Sequence, residues 1–389
     1  MAAVRSPLLS FSLRPAEAGD FDSYMDAFES VAAEGRWMGA EAPLDRAARR
    51  IGFDRALEGH DSVLYLAGAG GSIFGSIFAS ISGGVVDLGM FVVSGHRGAG
   101  VGSALLEAVI DWARSQEAHK INLAVWPSNH PAIGLYARYG FRVEGTRRRH
   151  YRRRSGALWD AVWMGRILDH DTPGGPGPSK PERPSIVVPE DGIRGVLGVA
   201  AADGGLAAAA GAGAAAGPEG AAIVLREWRR ADIPALLPLL DDPAIRRTLP
   251  LIPDPYTTAD AEEYVSKSRV NLTAGTAMAL AIVVDGDLAG SIDLRLGGLD
   301  SGSGEIGYWV AAPARRRGGA STATRLLSDF GFEALGLRRL ELNAEVTNVA
   351  SRRAAEKAGF ELEGVRRAWR IVHGVPADFA LYARLAPSQ

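Results

Sequence analysis

Cysteine is missing from all 389 residues. That excludes a structural disulfide, a thiolate zinc site and a cysteine nucleophile, so acyl chemistry here needs another nucleophile or none. A dominant charge is missing too. The formal net charge is −2, which gives no global field to draw nucleic acid or an anionic membrane. Long apolar runs are scarce. The opening MAAVRSPLLSFSLRP has a broken apolar run, unlike a secretory leader. The stretch GVLGVAAADGGLAAAAGAGAAAG (195–217) is alanine and glycine rather than leucine and isoleucine, and Asp203 interrupts it, so no membrane span is expected. A cytoplasmic protein is the expectation. The histidines are few and scattered without ligand spacing, so no metal is expected.

What is present is ordinary for a globular chain: 47% hydrophobic and 23% charged residues. The length exceeds a typical single domain and predicts two.

The chain repeats itself. RPAEAGDFD from Arg14 is matched by REWRRADIP from Arg226, and DLGM (87–90) by EIGY (305–308). Arg97 and Arg315 each follow ten residues after those acids, and Gly100 and Gly102 match Gly318 and Ala320. Asn129 and Asn348 each stand twelve residues before a Gly-Phe phenylalanine. Glu144-Gly145 matches Glu363-Gly364, and Asp160 matches Asp378. The offset drifts only from 212 to 219, so one fold occurs twice. The domains are expected at 8–168 and 221–386, joined by a flexible Pro/Gly/Ala-rich linker over 169–220. Within that linker the short piece SIVVPEDGIRGVLGV (185–199) is the exception that could dock on a domain.

Each half opens with a strand (FSLRPA; IVLREW), followed by a helix and then strands such as SVLYLAG (62–68) and MALAIVV (278–284). VGSALLEAVIDWARSQE has helical period, with Val101, Leu105, Ala108, Val109 and Trp112 on one face. KINLAVW (120–126) and RRLELNAEV (338–346) alternate as half-buried strands do. The predicted fold class is α/β, of the α+β type, with a mixed and mostly antiparallel sheet flanked by helices in each half.

The most specific segment is HRGAGVG (96–102), set between the apolar run LGMFVV and a helix. A strand, a glycine turn and a helix start together form an anion site, because the first helical amides lack intrahelical acceptors and glycine permits close approach. Three ligand classes compete. A Walker A loop needs Gly-Lys-Ser/Thr, which neither half has. A dinucleotide fold needs G-x-G-x-x-G after the first strand and an acid closing the next. Here the turn follows a late strand, Ser103 takes the third glycine position, and KINLAVW ends without an acid. The third class is the pyrophosphate of coenzyme A.

Arg97-Gly98-Ala99-Gly100-Val101-Gly102 and Arg315-Arg316-Arg317-Gly318-Gly319-Ala320 fit an Arg/Gln-x-x-Gly-x-Gly/Ala signature. Together with NHPAIGLYARYGF (129–141) and NVASRRAAEKAGF (348–360), they make each half resemble the GNAT superfamily of N-acetyltransferases, over nearly all of 8–168 and 221–386. The second half, with EIGYWV and its Asn…Ser…Glu-Lys…Gly-Phe pattern, looks like the ribosomal-protein N-terminal acetyltransferases. The first looks like the small-molecule or amino-acid type.

The resemblance implies direct transfer of acetyl from acetyl-CoA to a primary amine. It places the cofactor against Phe91, Val92 and Val93, the turn from Arg97 to Ser103, Asn129 and Tyr136 in the first half. In the second it uses Val310, the turn from Arg315, Arg316, Arg317, Gly318, Gly319 and Ala320 to Ser321, and Asn348. Backbone around Met90–Val93 or Tyr308–Val310 would polarise the thioester oxygen. Tyr136 stands where the family places the acid that protonates the leaving thiolate; a packing tyrosine is the plainer reading. The matching residue in the second half is Ala355, while Ser351, an acid candidate or a helix cap, faces Ala132 in the first. Asp87 and Glu305 hold the position of the base, of a water relay, or of a carboxylate that merely organises the strand. Asn129 and Asn348 hold the cofactor arm or cap a helix.

The run RRRHYRRR (147–154) is expected as a solvated hairpin near the acceptor mouth rather than a nucleic-acid site. Trp37, Trp126 and Trp159 are expected as core or cleft wall. The partner is an amine-bearing small molecule or a peptide or protein N-terminus, with no nucleic acid and no membrane. Loops 30–60 and 240–275 choose it, and they carry no portable code. Two rivals stand beside a tandem enzyme: one catalytic and one non-catalytic half, or an acetyl-CoA-responsive binding protein.

Overall fold

The structure, a computed structural model, describes residues 11–168, 214–216, 221–249, 252–274, 277–296 and 302–387. The chain divides into two compact units, Met1–Glu182 with Arg366–Asp378, and Arg183–Val365 with Phe379–Gln389.

The first unit runs β1 (Ser12–Pro15), α1 (Phe21–Ala33), α2 (Arg46–Glu58), β2 (Ser62–Ala69), β3 (Ser72–Ser82), β4 (Val85–Val92), α3 (Val101–Ser115), β5 (Lys120–Val125), α4 (His130–Arg138), β6 (Arg142–Arg152) and β7 (Leu158–Ile167). β1 to β4 form an antiparallel meander, β4 pairs with β5 in parallel, and β5, β7 and β6 continue antiparallel. The one parallel pair needs a crossover, and α3 supplies it.

The second unit repeats the plan: β8 (Ala214–Ala216), β9 (Ala222–Glu227), α5 (Ile233–Leu240), α6 (Pro243–Thr248), α7 (Thr258–Ala274), β10 (Ala277–Val284), β11 (Asp287–Leu296), β12 (Ser303–Val310), α8 (Gly319–Glu333), β13 (Arg339–Glu345), α9 (Val349–Lys357), β14 (Glu361–Val372) and β15 (Val375–Leu385). Again one pair, β12 with β13, is parallel, while the pairs from β8 to β12 and the pair β13–β15 are antiparallel. This is the expected mixed, mostly antiparallel α/β fold, present twice. Of the stretch 169–220 only β8 is described; 185–199 lies outside the described residues. Among the described residues no helix is long and apolar enough to cross a membrane.

α3 packs on its sheet through Val101, Leu105, Leu106, Val109, Ile110 and Ala113. The expected face was too narrow. Leu106, Ile110 and Ala113 are buried, while Ala108 and Trp112 are half-buried. A helix lying flat on a sheet buries a wide stripe, each large apolar side chain contributing about 1.5–3 kcal/mol.

Several polar anchors occur in both units. Arg14 grips Asp20 with contacts of 2.7 and 2.6 Å, and Arg226 grips Asp232 with two of 2.7 Å. Lys120 Nζ lies 2.7 Å from Glu144 Oε2, both side chains 0% exposed. Its counterpart Arg339 donates to Glu363 at 3.0 Å and to Glu341 at 2.9 Å. Burial holds the Lys120 ammonium below its ordinary value. The matched aspartates also have a task. Asp160 accepts the amide of Arg149 at 2.7 Å, and Asp378 that of Ala368 at 2.8 Å; these two residues have left-handed backbones, with φ of 52° and 46°.

Candidate active sites

Each parallel pair opens like a V. β4 and β5 are paired at Val85↔Lys120, Val86↔Ile121 and Asp87↔Asn122, and no further. β12 and β13 are paired at Ser303↔Arg339, Gly304↔Leu340 and Glu305↔Glu341, and no further. Asp87 and Glu305 therefore stand at the two vertices. Beyond them, Leu88 to Val92 and Ile306 to Val310 have no strand paired on that side among the described residues.

The turn after each open strand has one backbone shape. Gly98 and Gly100 have φ of 76° and 85°; Arg316 and Gly318 have 66° and 77°. Left-handed residues alternating with ordinary ones aim successive amides inward, an anion-binding concavity. The helix then starts with free amides at Val101, Gly102 and Ser103, or at Gly319, Ala320 and Ser321, the first bond in each being Ala104 to Gly100 O and Thr322 to Gly318 O, both 3.0 Å. A Cβ on Gly102 would meet Leu135 Cδ2 at 3.1 Å, so that leucine would have to give by a few tenths of an ångström. The second unit has Ala320 at that place and a shorter side chain, Ala354, at Leu135's.

The arginines that open the turns each hold a backbone carbonyl and a carboxylate. Arg97 Nε donates to Val92 O at 2.8 Å, and its two terminal nitrogens donate to Glu34 at 2.9 and 2.5 Å. Arg315 Nε donates to Val310 O at 3.1 Å and Nη2 to Asp242 Oδ2 at 2.5 Å. The Arg97 guanidinium holds Glu34 below the usual carboxylate range; for Asp242 the Ala244 amide comes first and Arg315 adds to it. Both arginines thus tie the turn to the strand end and to the region after the first helix. Arg317 pairs with Asp285, and Arg316 is exposed. The Val93 amide is spent on Phe74 O at 2.8 Å, and the Phe91 ring packs toward α1, 5.5 Å from Phe28.

Tyr136 is 6% exposed, with its ring 5.8 Å from Phe141. Burial pushes its phenol up to about 12. That is further from a thiol near 8.5 than an ordinary tyrosine, so the residue suits a hydrogen-bond donor that keeps its proton. Ser351 is not a cap. Asn348 caps α9, its Oδ1 accepting from the Ser351 amide at 3.0 Å, as Asn129 caps α4 by accepting from Ala132 at 3.3 Å. The plainer reading of both asparagines holds for their oxygens. The Ser351 hydroxyl instead lies 3.1 Å from the phenol of Tyr308, which also donates to Ser351 O at 3.0 Å. Tyr308 was expected to matter only through its backbone. The signal that could have found it was the exchange of Met90 and Ala132 for Tyr308 and Ser351.

The vertex carboxylates differ. Asp87 keeps exposed surface, yet the protein crowded around it pushes its carboxyl above the usual range. Glu305 is ion-paired with Arg295 at 3.4 Å. Among the described residues no group of three or more His, Cys, Asp or Glu could hold a metal.

The arginine run is corrected in part. Arg153 is 4% exposed, and it donates to Met38 O and Gly35 O at 2.8 Å each, stacking over Trp159 at 4.3 Å. Arg154 donates to Ala42 O at 2.9 Å and Pro43 O at 2.8 Å. Arg153 is withdrawn from solvent while Arg154 stays exposed, and both side chains fix the loop between α1 and α2. Trp126 is buried as expected, edge-on to Tyr151 at 4.6 Å and to Trp159 at 5.4 Å. Trp37 donates to Glu34 at 2.6 Å.

Two family models match the chain. One described as Acetyltransferase (GNAT) family covers residues 24–141, and one described as Acetyltransferase (GNAT) domain covers 222–361. The chain is 31% identical over 146 residues to an L-methionine sulfoximine/L-methionine sulfone acetyltransferase of Pseudomonas paraeruginosa, covering 35% of this chain and 83% of that protein. It is 36% identical over 104 residues to a putative ribosomal N-acetyltransferase, YdaF, of Bacillus subtilis, covering 27% of this chain and 57% of that one. Among solved structures, Mycobacterium smegmatis RimJ in complex with CoA-disulfide is similar at a TM-score of 0.40 and 26% identity, over 44% of this chain and 84% of that one.

Proposed function

Since the chain belongs to the GNAT acetyltransferase family, matched once in each half, we propose that both halves bind acetyl-CoA and pass its acetyl group to a primary amine. One observation carries this reading: twice, a V-shaped opening in the sheet lies beside a turn whose amides converge. A slender chain fits the V, and its diphosphate fits the turn. Acetyl-CoA supplies an activated thioester carbonyl there.

The chain's own groups have distinct tasks. Amides of Val101, Gly102 and Ser103, or of Gly319, Ala320 and Ser321, hold the diphosphate. Arg97 and Arg315 act by fixing the turn rather than by touching the ligand. The capping asparagines, Asn129 and Asn348, keep their amide nitrogens for the cofactor arm. The open edge of β4 or β12 offers a backbone donor to the oxygen that gains charge as a neutral amine attacks. Tyr136 or Ser351 donates to the sulfur as the C–S bond breaks. Asp87 or Glu305, directly or through water, takes the proton the amine loses. The relatives' names, one an amino-acid derivative and one ribosomal, support α-amino groups as the acceptor class. Such amines, near pKa 8, need little basic help.

A second reading, in which the first half alone turns over, is favoured by one contact: Arg295 occupies Glu305, whereas Asp87 has a raised affinity for protons. Calorimetry of the full chain with acetyl-CoA tests both. Two equivalents bound, each half acetylating an α-amino panel, is the expected result. Two equivalents with turnover lost entirely in Tyr136→Phe favours the second reading, and no binding ends both.

A further inference from the structure

Tyr308 sits three residues beyond the vertex on β12. Ser351 lies in the first turn of α9, the helix that follows β13. The contact between their hydroxyls, 3.1 Å, therefore joins the structures that follow the two arms of the V. Both residues are only partly exposed, and burial pushes the Tyr308 phenol up to about 12. A phenol has one proton, and Tyr308 has two acceptors within reach, Ser351 O and Ser351 Oγ.

From this geometry we propose that Tyr308 is a positioning residue of the second half, turning the Ser351 hydroxyl into a donor aimed at the sulfur in the gap. The inference rests on the reading of the second half as an acetyl-CoA site. With Tyr308 donating to the carbonyl, the Ser351 proton is free to lie toward the phenol oxygen, and serine is a poor donor to anything else. When Tyr308 donates to Ser351 Oγ instead, that direction is closed and the serine proton is left for the gap. The sulfur gains the electron pair of the broken C–S bond, Ser351 donates to it, and Tyr308 donates to Ser351. No proton needs to leave either hydroxyl, and the thiolate takes one from water after release. Two donors in series polarise each other, so the pair does more than the serine alone.

Comparison of the two halves supports this assignment. In the first, the phenol is Tyr136 on the helix side, with Met90 and Ala132 at the places of Tyr308 and Ser351. In the second, Ala355 stands where Tyr136 would be. Of the two matched positions each half makes one a tyrosine, and the serine appears only where that tyrosine is on the strand. Phe at 308 would keep the ring and remove only the hydroxyl.

The test uses the full chain carrying Tyr136→Phe, so that the first site lacks its donor, and follows the thiolate absorbance of bound coenzyme A against pH. The expected result is a bound thiol titrating about tenfold lower in proton affinity than free coenzyme A, near 8.5. Ser351→Ala should abolish that shift, Tyr308→Phe should reduce it, and the double variant should do no more than Ser351→Ala. A triple change, Tyr308→Met with Ser351→Ala and Ala355→Tyr, should restore it by copying the first half. If Tyr308→Phe leaves the shift intact while Ser351→Ala removes it, the Tyr308 inference fails and the role of Ser351 stands. If coenzyme A binds with no shift in any variant, both roles fail. If the second site binds none, the underlying reading fails with them. Melting curves of each variant exclude unfolding as the cause.

Discussion

The first half has its buried phenol, Tyr136, on a helix, the second has Tyr308 on a strand, and the residues around them have changed in step. Leu135 against Gly102 in one half becomes Ala354 with Ala320 in the other; Met90 with Ala132 becomes Tyr308 with Ser351. The two halves also differ in how they neutralise a buried cation. Lys120 has one carboxylate, Glu144, whereas Arg339 has two, Glu363 and Glu341. What both retain is the backbone: a V three rungs deep and a turn with two left-handed residues. The comparison teaches that the backbone of gap and turn is held in common while the side chains along it vary.

The largest expected effect sharpens the contrast in the buried cations. Glu144→Ala strands Lys120 in the interior and should cost the first unit about 3–5 kcal/mol. Glu363→Ala should cost the second unit less, because Glu341 stays beside Arg339. Urea unfolding of the full chain, with the two units followed by hydrogen exchange, measures both. Equal losses would show that Glu341 does not share the charge. Next comes the donor. Tyr136→Phe should lower first-half turnover about 100-fold, in line with the lower range for positioned acids, with little change in acetyl-CoA affinity. Steady-state kinetics with calorimetry separates the two quantities, and an unchanged kcat removes Tyr136 from the chemistry.

Much of this was legible beforehand. The repeat located both turns, both asparagines and both vertex acids, because backbone shape forces glycine and short polar residues into fixed places. The matched pairs Glu144/Glu363 and Asp160/Asp378 were visible as landmarks without a task. Their partners, Lys120, Arg339 and the amides of Arg149 and Ala368, lie 10 to 24 residues away, and spacing alone does not pair them. The side-chain partners of Arg97 and Arg315 are hidden from the sequence for the same reason. Glu34 and Asp242 lie 63 and 73 residues away, inside loops without a pattern. The arginine run misled because local charge density says nothing of burial; Arg153 reaches carbonyls more than 100 residues back.

A smaller effect probes the turn. Gly98→Ala places a Cβ in open space at φ 76°, so its cost is backbone strain alone, about 1–2 kcal/mol. Arg316→Gly, at φ 66°, relieves the same strain in the second half and should stabilise it by up to about 1 kcal/mol. Thermal melting reads both changes. A loss of acetyl-CoA affinity in Arg316→Gly despite better stability would give that side chain a direct part in binding, a part Gly98 cannot play.

The smallest expected difference is in pH. Crowding raises the Asp87 carboxyl, so it ionises only above the ordinary carboxylate range. If it is the base, first-half kcat/KM climbs with pH across that raised window, and Asp87→Asn removes the climb. The sign for stability is opposite. A raised acid favours the folded state below its unfolded value and loses that advantage as pH rises through the folded one, so Asp87→Asn should melt higher above the window.

A forked sheet also has a cost that its visitor can offset. Where β4 leaves β5, the ladder among the described residues stops at Asp87↔Asn122 and the strands part into a gap. Whatever fills it comfortably must resemble a length of polypeptide, narrow and studded with amides, and so behaves as a temporary rung in the ladder. On that view each domain is finished only when loaded, and its resistance to unfolding rises with the concentration of its own donor.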